Sequence, residues 1–242
     1  MIRKRNTTHS LTIFTHYDEE SSSATEFRRL ARNIRHRGNP SEVKSILVTS
    51  ATKDEGKSLI AANLAIAVAK RESSKRVLLL DCDLRRPEIH LLFGVERSPG
   101  LVSLLNEDTE PNSMARDTEL DNLKIITSGL AMSPASQLLA DVKRTLDKCK
   151  KQFDILICDS PPVVPVDDAG ILTPHLDGVL LVVLAGKTDR MVVKRAIDIL
   201  NDAKANILGV VLNNLHGALP YYYDYGYYRY KYEKKEKLEA EK

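Results

Sequence analysis

The feature of this chain that most limits its fold is an alternation between two kinds of apolar segment. Short runs rich in leucine and β-branched residues occur at 45–49, 77–80, 123–127, 155–158, 179–184 and 207–212. They lack the every-second-residue pattern of a half-exposed strand, so they read as strands covered on both faces. Between several of them lie stretches of helical period, at 57–70, 136–150 and 190–203. Strands alternating with helices join through right-handed crossovers. The expected fold is therefore α/β, a mostly parallel sheet with helices on both faces. A chain of 242 residues accommodates one large domain of this kind with tails. No internal repeat and no internal domain break is evident.

The first apolar run leads into Ser50-Ala51-Thr52-Lys53-Asp54-Glu55-Gly56-Lys57-Ser58, followed by the helical Leu59-Ile60-Ala61-Ala62. Strand, loop and helix in that order are what phosphate binding needs. Gly56 lets backbone N–H groups approach a phosphate, and the helix N-terminus adds partial positive charge. Lys57 is placed to reach the β- and γ-phosphates of a nucleotide, and the Ser58 hydroxyl to ligate Mg²⁺. The expected nucleotide contacts are Asp54, Glu55, Gly56, Lys57, Ser58 and Leu59. The loop departs from G-x-x-x-x-G-K-[ST] at its first position, Ala51, and carries an acid at Asp54.

Two further strands end in acids, Asp81 and Asp83 after one and Asp159 after the other. Open α/β sheets bind ligands at the C-terminal edge of their strands. Mg²⁺ takes oxygen ligands and retains waters, so Ser58, Asp81 and Asp159 are its candidate ligands beside phosphate oxygens. A single strand-end Asp is most simply a helix cap; two acidic edges beside a phosphate loop are not. Arg85 and Arg86 suit phosphate and carboxylate partners equally.

Residues 1–23 read as a polar arm, and 25–37 as a basic helix ended by Gly38-Asn39-Pro40. Eight of nine tyrosines crowd into the tail at 219–242: Tyr221, Tyr222, Tyr223, Tyr225, Tyr227, Tyr228, Tyr230 and Tyr232. They show neither strand alternation nor a helical stripe. Phenols on an accessible tail are a binding surface or acceptors for a charged modification. The formal charge of +3 gives no case for nucleic acid. The basic excess lies at the ends, with nine Lys/Arg against five Asp/Glu before Ser45. Cys82, Cys149 and Cys158 have no metal-type spacing and read as buried hydrophobes of a reducing compartment. The basic start lacks a following apolar stretch, so no signal peptide is evident, and the longest apolar run is too short to span a bilayer.

Taken together, these motifs resemble the bacterial tyrosine autokinases (BY-kinases) of capsule and exopolysaccharide export. The resemblance covers roughly residues 24 to 232. It rests on the phosphate loop, on Asp81-x-Asp83-x-Arg85 after an apolar strand, and on the strand 155–159 ending in Asp159. Glu26, Arg29 and Arg32 match the family's Glu-x-x-Arg-x-x-Arg oligomerisation helix, and the carboxy-terminal tyrosines match its autophosphorylation cluster. Where the family commonly has Pro-Gly-Glu-Gly-Lys-Ser, this chain has Lys53-Asp54 in place of Pro-Gly.

The resemblance implies a P-loop kinase domain over 24–218 that uses ATP and Mg²⁺, with Lys57, Asp81, Asp83 and Asp159 as catalytic residues. Asn213, just after the last strand, is similar to the adenine-contacting Asn of related ATPases, though a turn residue fits equally well. It also implies phosphorylation of the tail in trans within a homo-oligomeric ring. The chain is similar to the stand-alone form of the family, cytoplasmic and brought to the inner face of the membrane by a membrane-embedded activator. Two other readings share the core: a MinD/ParA-like positioning ATPase without kinase activity, and a nucleotide-binding scaffold. The first gives the tyrosine tail no role; the second has the tail recruit partners, and Asp54 in the loop is the feature that favours it.

Overall fold

In the computed structural model, which describes residues 12–37, 43–107 and 109–214, each of the six apolar runs is a strand. They are β1 (Ser45–Ser50), β2 (Val77–Asp81), β4 (Leu123–Ile126), β5 (Ile155–Asp159), β6 (Gly178–Leu184) and β7 (Ile207–Asn213). A two-residue strand, β3 (Arg116–Asp117), is added at one edge. The seven strands lie in the order β3-β4-β2-β5-β1-β6-β7. All neighbours pair in parallel except β3 with β4.

The continuous apolar runs have a simple cause. Leu78 and Leu80 of β2 face one hydrophobic core, while Val77 and Leu79 face the other. Alternate side chains still point to opposite faces, but both faces are dry.

The helices are α1 (Ser22–Arg37), α2 (Lys57–Arg71), α3 (Ile89–Phe93), α4 (Leu101–Asn106), α5 (Pro111–Met114), α6 (Ala135–Leu138), α7 (Val142–Gln152), α8 (Asp168–Leu172) and α9 (Arg190–Asp202). Ala31 and Ile34 of α1, Leu64 of α2 and Phe93 of α3 fill one core. Leu101 of α4, Leu146 of α7, Leu172 of α8 and Leu200 of α9 fill the other. The sheet is thus covered on both faces.

The single helix expected over 136–150 is divided into α6, a 3₁₀ turn at Leu139–Asp141, and α7. The short α3, α4, α5 and α8 carry too few turns to show a period in sequence.

Residues 12–21, read from sequence as part of an arm, differ from that expectation. Ile13, Phe14 and Tyr17 pack on the core beside α2. The Phe14 ring meets Phe93 edge-on at 5.7 Å. Lys70 lies 5.0 Å above the Tyr17 ring and pairs with Glu19. Three bulky apolar groups outweigh the polar composition around them. Ser21 then caps the start of α1, its hydroxyl accepting from the Ala24 N–H at 3.1 Å.

For function the essential result is register. Val48 of β1 is level with Asp159 of β5, and Asp159 with Asp81 of β2, so three strand ends meet mid-sheet. Among the described residues, no helix is long and apolar enough to cross a membrane.

Because Ala31 is 3% exposed where α1 meets the core, Ala31→Glu should bury an unpaired carboxylate. The thermal midpoint should fall by several degrees, and proteolysis within residues 22–37 should accelerate. An unaltered digestion pattern would mean that α1 is not seated as described.

Candidate active site

The loop between β1 and α2 is held from within. Ser50 Oγ donates to the Thr52 carbonyl at 2.7 Å, and the Thr52 N–H donates to Glu55 Oε2 at 2.8 Å. Glu55 is therefore turned inward and is 2% exposed. Its carbonyl accepts from Asn213 Nδ2 at 2.9 Å. Gly56 has φ 84°, and a Cβ there would lie 2.4 Å from Asn213 Nδ2. Both the left-handed backbone and the lack of space require glycine.

Asp54 has φ 62° and is exposed. It adopts a conformation natural to glycine, which Asp tolerates better than most residues. Leu59, in the first turn of α2, points outward and is 46% exposed.

Behind the loop lies a buried charge cluster. Lys57 Nζ is 2.8 Å from Asp83 Oδ2 and 3.8 Å from Asp159 Oδ1, and it donates to Ser58 Oγ at 3.1 Å. Asp83 Oδ1 accepts from the Arg86 N–H at 2.8 Å and the Arg85 N–H at 3.2 Å. Among the described residues, Asp81 Oδ1 accepts only from the Asp83 N–H, at 3.2 Å, and Oδ2 has no partner. Neither oxygen of Asp159 makes a hydrogen bond of ordinary geometry, though the Ser58 hydroxyl is close enough to steady its charge. Asp81, Asp159 and Ser58 are all fully buried.

This geometry dictates the protonation. Burial, then the Asp159 and Asp83 charges, pushes the Asp81 carboxyl well above the usual range. Burial likewise pushes Asp159 up to about 7, against the pull of Lys57 and Ser58. Burial alone would depress the Lys57 ammonium, but Asp159 and Asp83 outweigh it and hold its pKa above the ordinary value.

Unpartnered, fully buried carboxylate oxygens beside a serine hydroxyl fit a small hard cation. Among the described residues no cluster of three or more His, Cys, Asp or Glu would cage an ion alone. That suits Mg²⁺, which completes its shell with phosphate oxygens and water.

Other expected residues are placed as follows. Arg85 grips Asp168 with two hydrogen bonds, Nε to Oδ2 at 2.8 Å and Nη2 to Oδ1 at 3.0 Å. Its guanidinium therefore has a carboxylate partner, whereas the Arg86 side chain is exposed. Glu26, Arg29 and Arg32 lie on the exposed side of α1, with Glu26 and Arg29 paired at 2.5 Å. A groove of about 490 Å³ separates this helix from the outer edge of β7, lined by Glu26, Phe27, Leu30, Val210, Leu212 and Asn213. The three cysteines are free and buried. The tail tyrosines, Tyr221 to Tyr232, lie outside the described residues.

Sequence reasoning did not single out Asp168 or Thr188, which donates to Glu55. Asp168 opens α8 and Thr188 lies two residues before α9, so both show only the pattern of a helix start.

A strand-end loop of this form, with acidic neighbouring strands, defines a P-loop nucleotide-binding protein. The family model described as ParA, NUBPL iron-transfer P-loop NTPase, matches residues 42–238. The chain is 33% identical over 213 residues to the tyrosine-protein kinase YwqD of Bacillus subtilis, covering 87% of this chain and 88% of that one. The chimerical protein CapA2B2 superposes with TM-score 0.77 at 31% identity, over 83% of this chain and 88% of that one. The kinase domain of the Escherichia coli tyrosine kinase ETK does so with TM-score 0.79 at 28% identity, over 86% and 82%. The chain belongs to the bacterial tyrosine-protein kinases, within the ParA-like P-loop NTPases, and is a protein-tyrosine kinase.

Two outcomes are expected. Asp159 has its folded pKa raised from 3.8 to about 7, so its contribution is fully present below pH 3.8 and is lost as pH rises through about 7. Thermal midpoints of nucleotide-free protein between pH 4 and 8 should fall along this window, and less steeply in Asp159→Asn. Identical slopes would contradict the burial of an unpaired carboxyl.

Asp54→Gly and Asp54→Asn separate backbone from charge. If charge governs, both tighten ADP·Mg²⁺ binding severalfold in a fluorescence titration. If strain governs, only Asp54→Gly does, and no change in either would leave Asp54 without influence.

Proposed function

We propose that this kinase transfers the γ-phosphoryl group of ATP, with Mg²⁺, to tyrosines of its own carboxy-terminal cluster, between subunits of a homo-oligomer. The single observation that supports this most is the buried cluster of Lys57, Asp81, Asp83 and Asp159 beside Ser58, with unpartnered carboxylate oxygens. In this reading the Gly56 and Lys57 backbone cradles phosphate, and the Lys57 ammonium moves from Asp83 toward the β- and γ-phosphates. Ser58, Asp81 and Asp159 hold Mg²⁺, which offsets charge on the transferring group when bound.

A tyrosine phenol has a pKa near ~10, so at neutral pH it attacks well only if a positioned base takes its proton. Asp81 is that base, because its Oδ2 is free of any donor. Asp83 holds Lys57 and the Arg85-Arg86 turn in place. Positioning and electrostatics supply most of the remaining rate.

The acceptors are Tyr221, Tyr222, Tyr223, Tyr225, Tyr227, Tyr228, Tyr230 and Tyr232. Glu26, Arg29 and Arg32 form the assembly face, which gains support from their exposure and from the groove that Glu26 and Arg29 share with Asn213. Each phosphate added to the tail brings nearly two negative charges, so a modified tail repels its neighbours and loosens the ring. The protein acts in the cytoplasm, held at the inner face of the membrane by a membrane-embedded activator. There it regulates polysaccharide synthesis and export. Support for this setting is the resemblance to kinases of capsule and exopolysaccharide systems.

Lys57→Met should keep the fold by circular dichroism and lose both ATP binding and phosphotyrosine. Unchanged phosphorylation would remove the site assignment. For transfer between subunits, Asp81→Ala protein with an intact tail is mixed with active protein whose tail tyrosines are Phe. Mass spectrometry should find phosphotyrosine on the Asp81→Ala chain. An unlabelled mixture, beside a well-labelled wild type, would exclude transfer in trans, and labelling on serine or threonine alone would exclude tyrosine transfer.

A further inference from the structure

Glu55 is an unusual loop residue, a carboxylate 2% exposed beside a phosphate site. Its partners come from the loop, from β6 and the turn after it, and from β7; the Leu184 N–H at the end of β6 also donates to Oε1, at 3.5 Å. Oε2 accepts from the Thr52 N–H within the loop at 2.8 Å. Oε1 accepts from the hydroxyl of Thr188, 133 residues away, beyond the end of β6. Its backbone carbonyl accepts from Asn213 at the end of β7 at 2.9 Å. The residue just before Gly56 and Lys57 is thus tied to the two strands on one side of β1.

Thr188 is itself fixed. Its Oγ1 accepts from the Leu184 N–H at 3.2 Å, which leaves the hydroxyl proton for Glu55, since an ionised carboxylate can only accept. The turn that carries it is closed by the Thr188 N–H donating to the Leu184 carbonyl at 3.0 Å. The next residue, Asp189, caps α9 through the Met191 N–H at 2.7 Å. Both lone-pair and proton directions of the hydroxyl are therefore used, and Val, its isostere, satisfies neither.

We infer that Thr188 is a positioning residue for nucleotide binding. Through Glu55 it fixes where the backbone N–H groups of Gly56 and Lys57 stand. A phosphate bound by several N–H groups at once tolerates little displacement, and about 1 Å of misplacement can cost two orders of magnitude in rate. Nothing in the immediate loop replaces this tether. Ser50 and Thr52 hold the first half of the loop, and Asn213 holds one carbonyl. The inference rests on the loop being the nucleotide site.

The test is a double-mutant cycle read by fluorescent ADP·Mg²⁺ binding, with thermal midpoints measured alongside. Thr188→Val should weaken binding about tenfold, Thr188→Ser should remain within about twofold of wild type, and Asp189→Ala should lower the midpoint without weakening binding. In a Glu55→Ala background, which removes the acceptor that Gln would keep, Thr188→Val should add little further loss, because its route to the loop is already gone.

Wild-type affinity in Thr188→Val would overturn the inference, as would an equal tenfold loss in the Glu55→Ala background. So would a Thr188→Ser protein as weak as Thr188→Val. If the wild type itself binds no ADP·Mg²⁺, the nucleotide reading of the site fails and the inference falls with it.

Discussion

One buried ammonium among three buried carboxylates is the constraint on which this site depends. Lys57 contacts Asp83 directly and Asp159 at longer range, while Asp81 lies beside both with an oxygen that nothing satisfies. Removing such charges from water costs several kcal/mol each unless they are paired. The arrangement is persistent only because the strands put it there. Parallel pairing brings the ends of β2 and β5 level, and β1 delivers the loop beside them. With more acid than base, the cluster favours protonated carboxyls when empty, and in the proposed function a divalent cation and phosphate complete it. A fold optimised for stability alone would place apolar groups at these positions, so the uncompensated acid is the structural mark of function.

The surroundings separate charges that bind from charges that brace. Arg85 and Asp168 neutralise each other through a two-point grip, which removes both from the phosphate site and steadies the turn that presents Asp83. Glu55 is likewise a brace in its side chain, since its carboxylate faces inward rather than toward Lys57. Helix α1 shares a groove with Asn213, the residue that holds the Glu55 carbonyl. If subunits assemble at α1 as proposed, that contact has a short physical route to the loop.

Much of this was legible in the chain. The strands 45–49, 77–80 and 155–158 were readable because a sheet buried on both faces demands unbroken apolar runs. Gly56, Lys57 and Ser58 were readable because phosphate binding is local, a turn followed by a helix. Asp81, Asp83 and Asp159 were readable by their place at strand ends. Asp168 and Thr188 were not, because their meaning lies in partners 83 and 133 residues away. No local pattern distinguishes a threonine that holds a distant carboxylate from one at a helix start. The packed segment around Phe14 was hidden by polar neighbours, and β3 by its two-residue length.

If the strand-end carboxylates complete the shell of a nucleotide-bound cation, ADP binding must depend on them through Mg²⁺. The most direct measurement is ADP affinity by calorimetry with Mg²⁺ and with chelator, in wild type and in Asp159→Asn. Wild type should show strong Mg²⁺ dependence. In the variant, Mg²⁺-free affinity should be equal or better, because a negative charge has left the site, and most of the Mg²⁺ dependence should be gone. The same Mg²⁺ dependence in both proteins would contradict this role of the carboxylates.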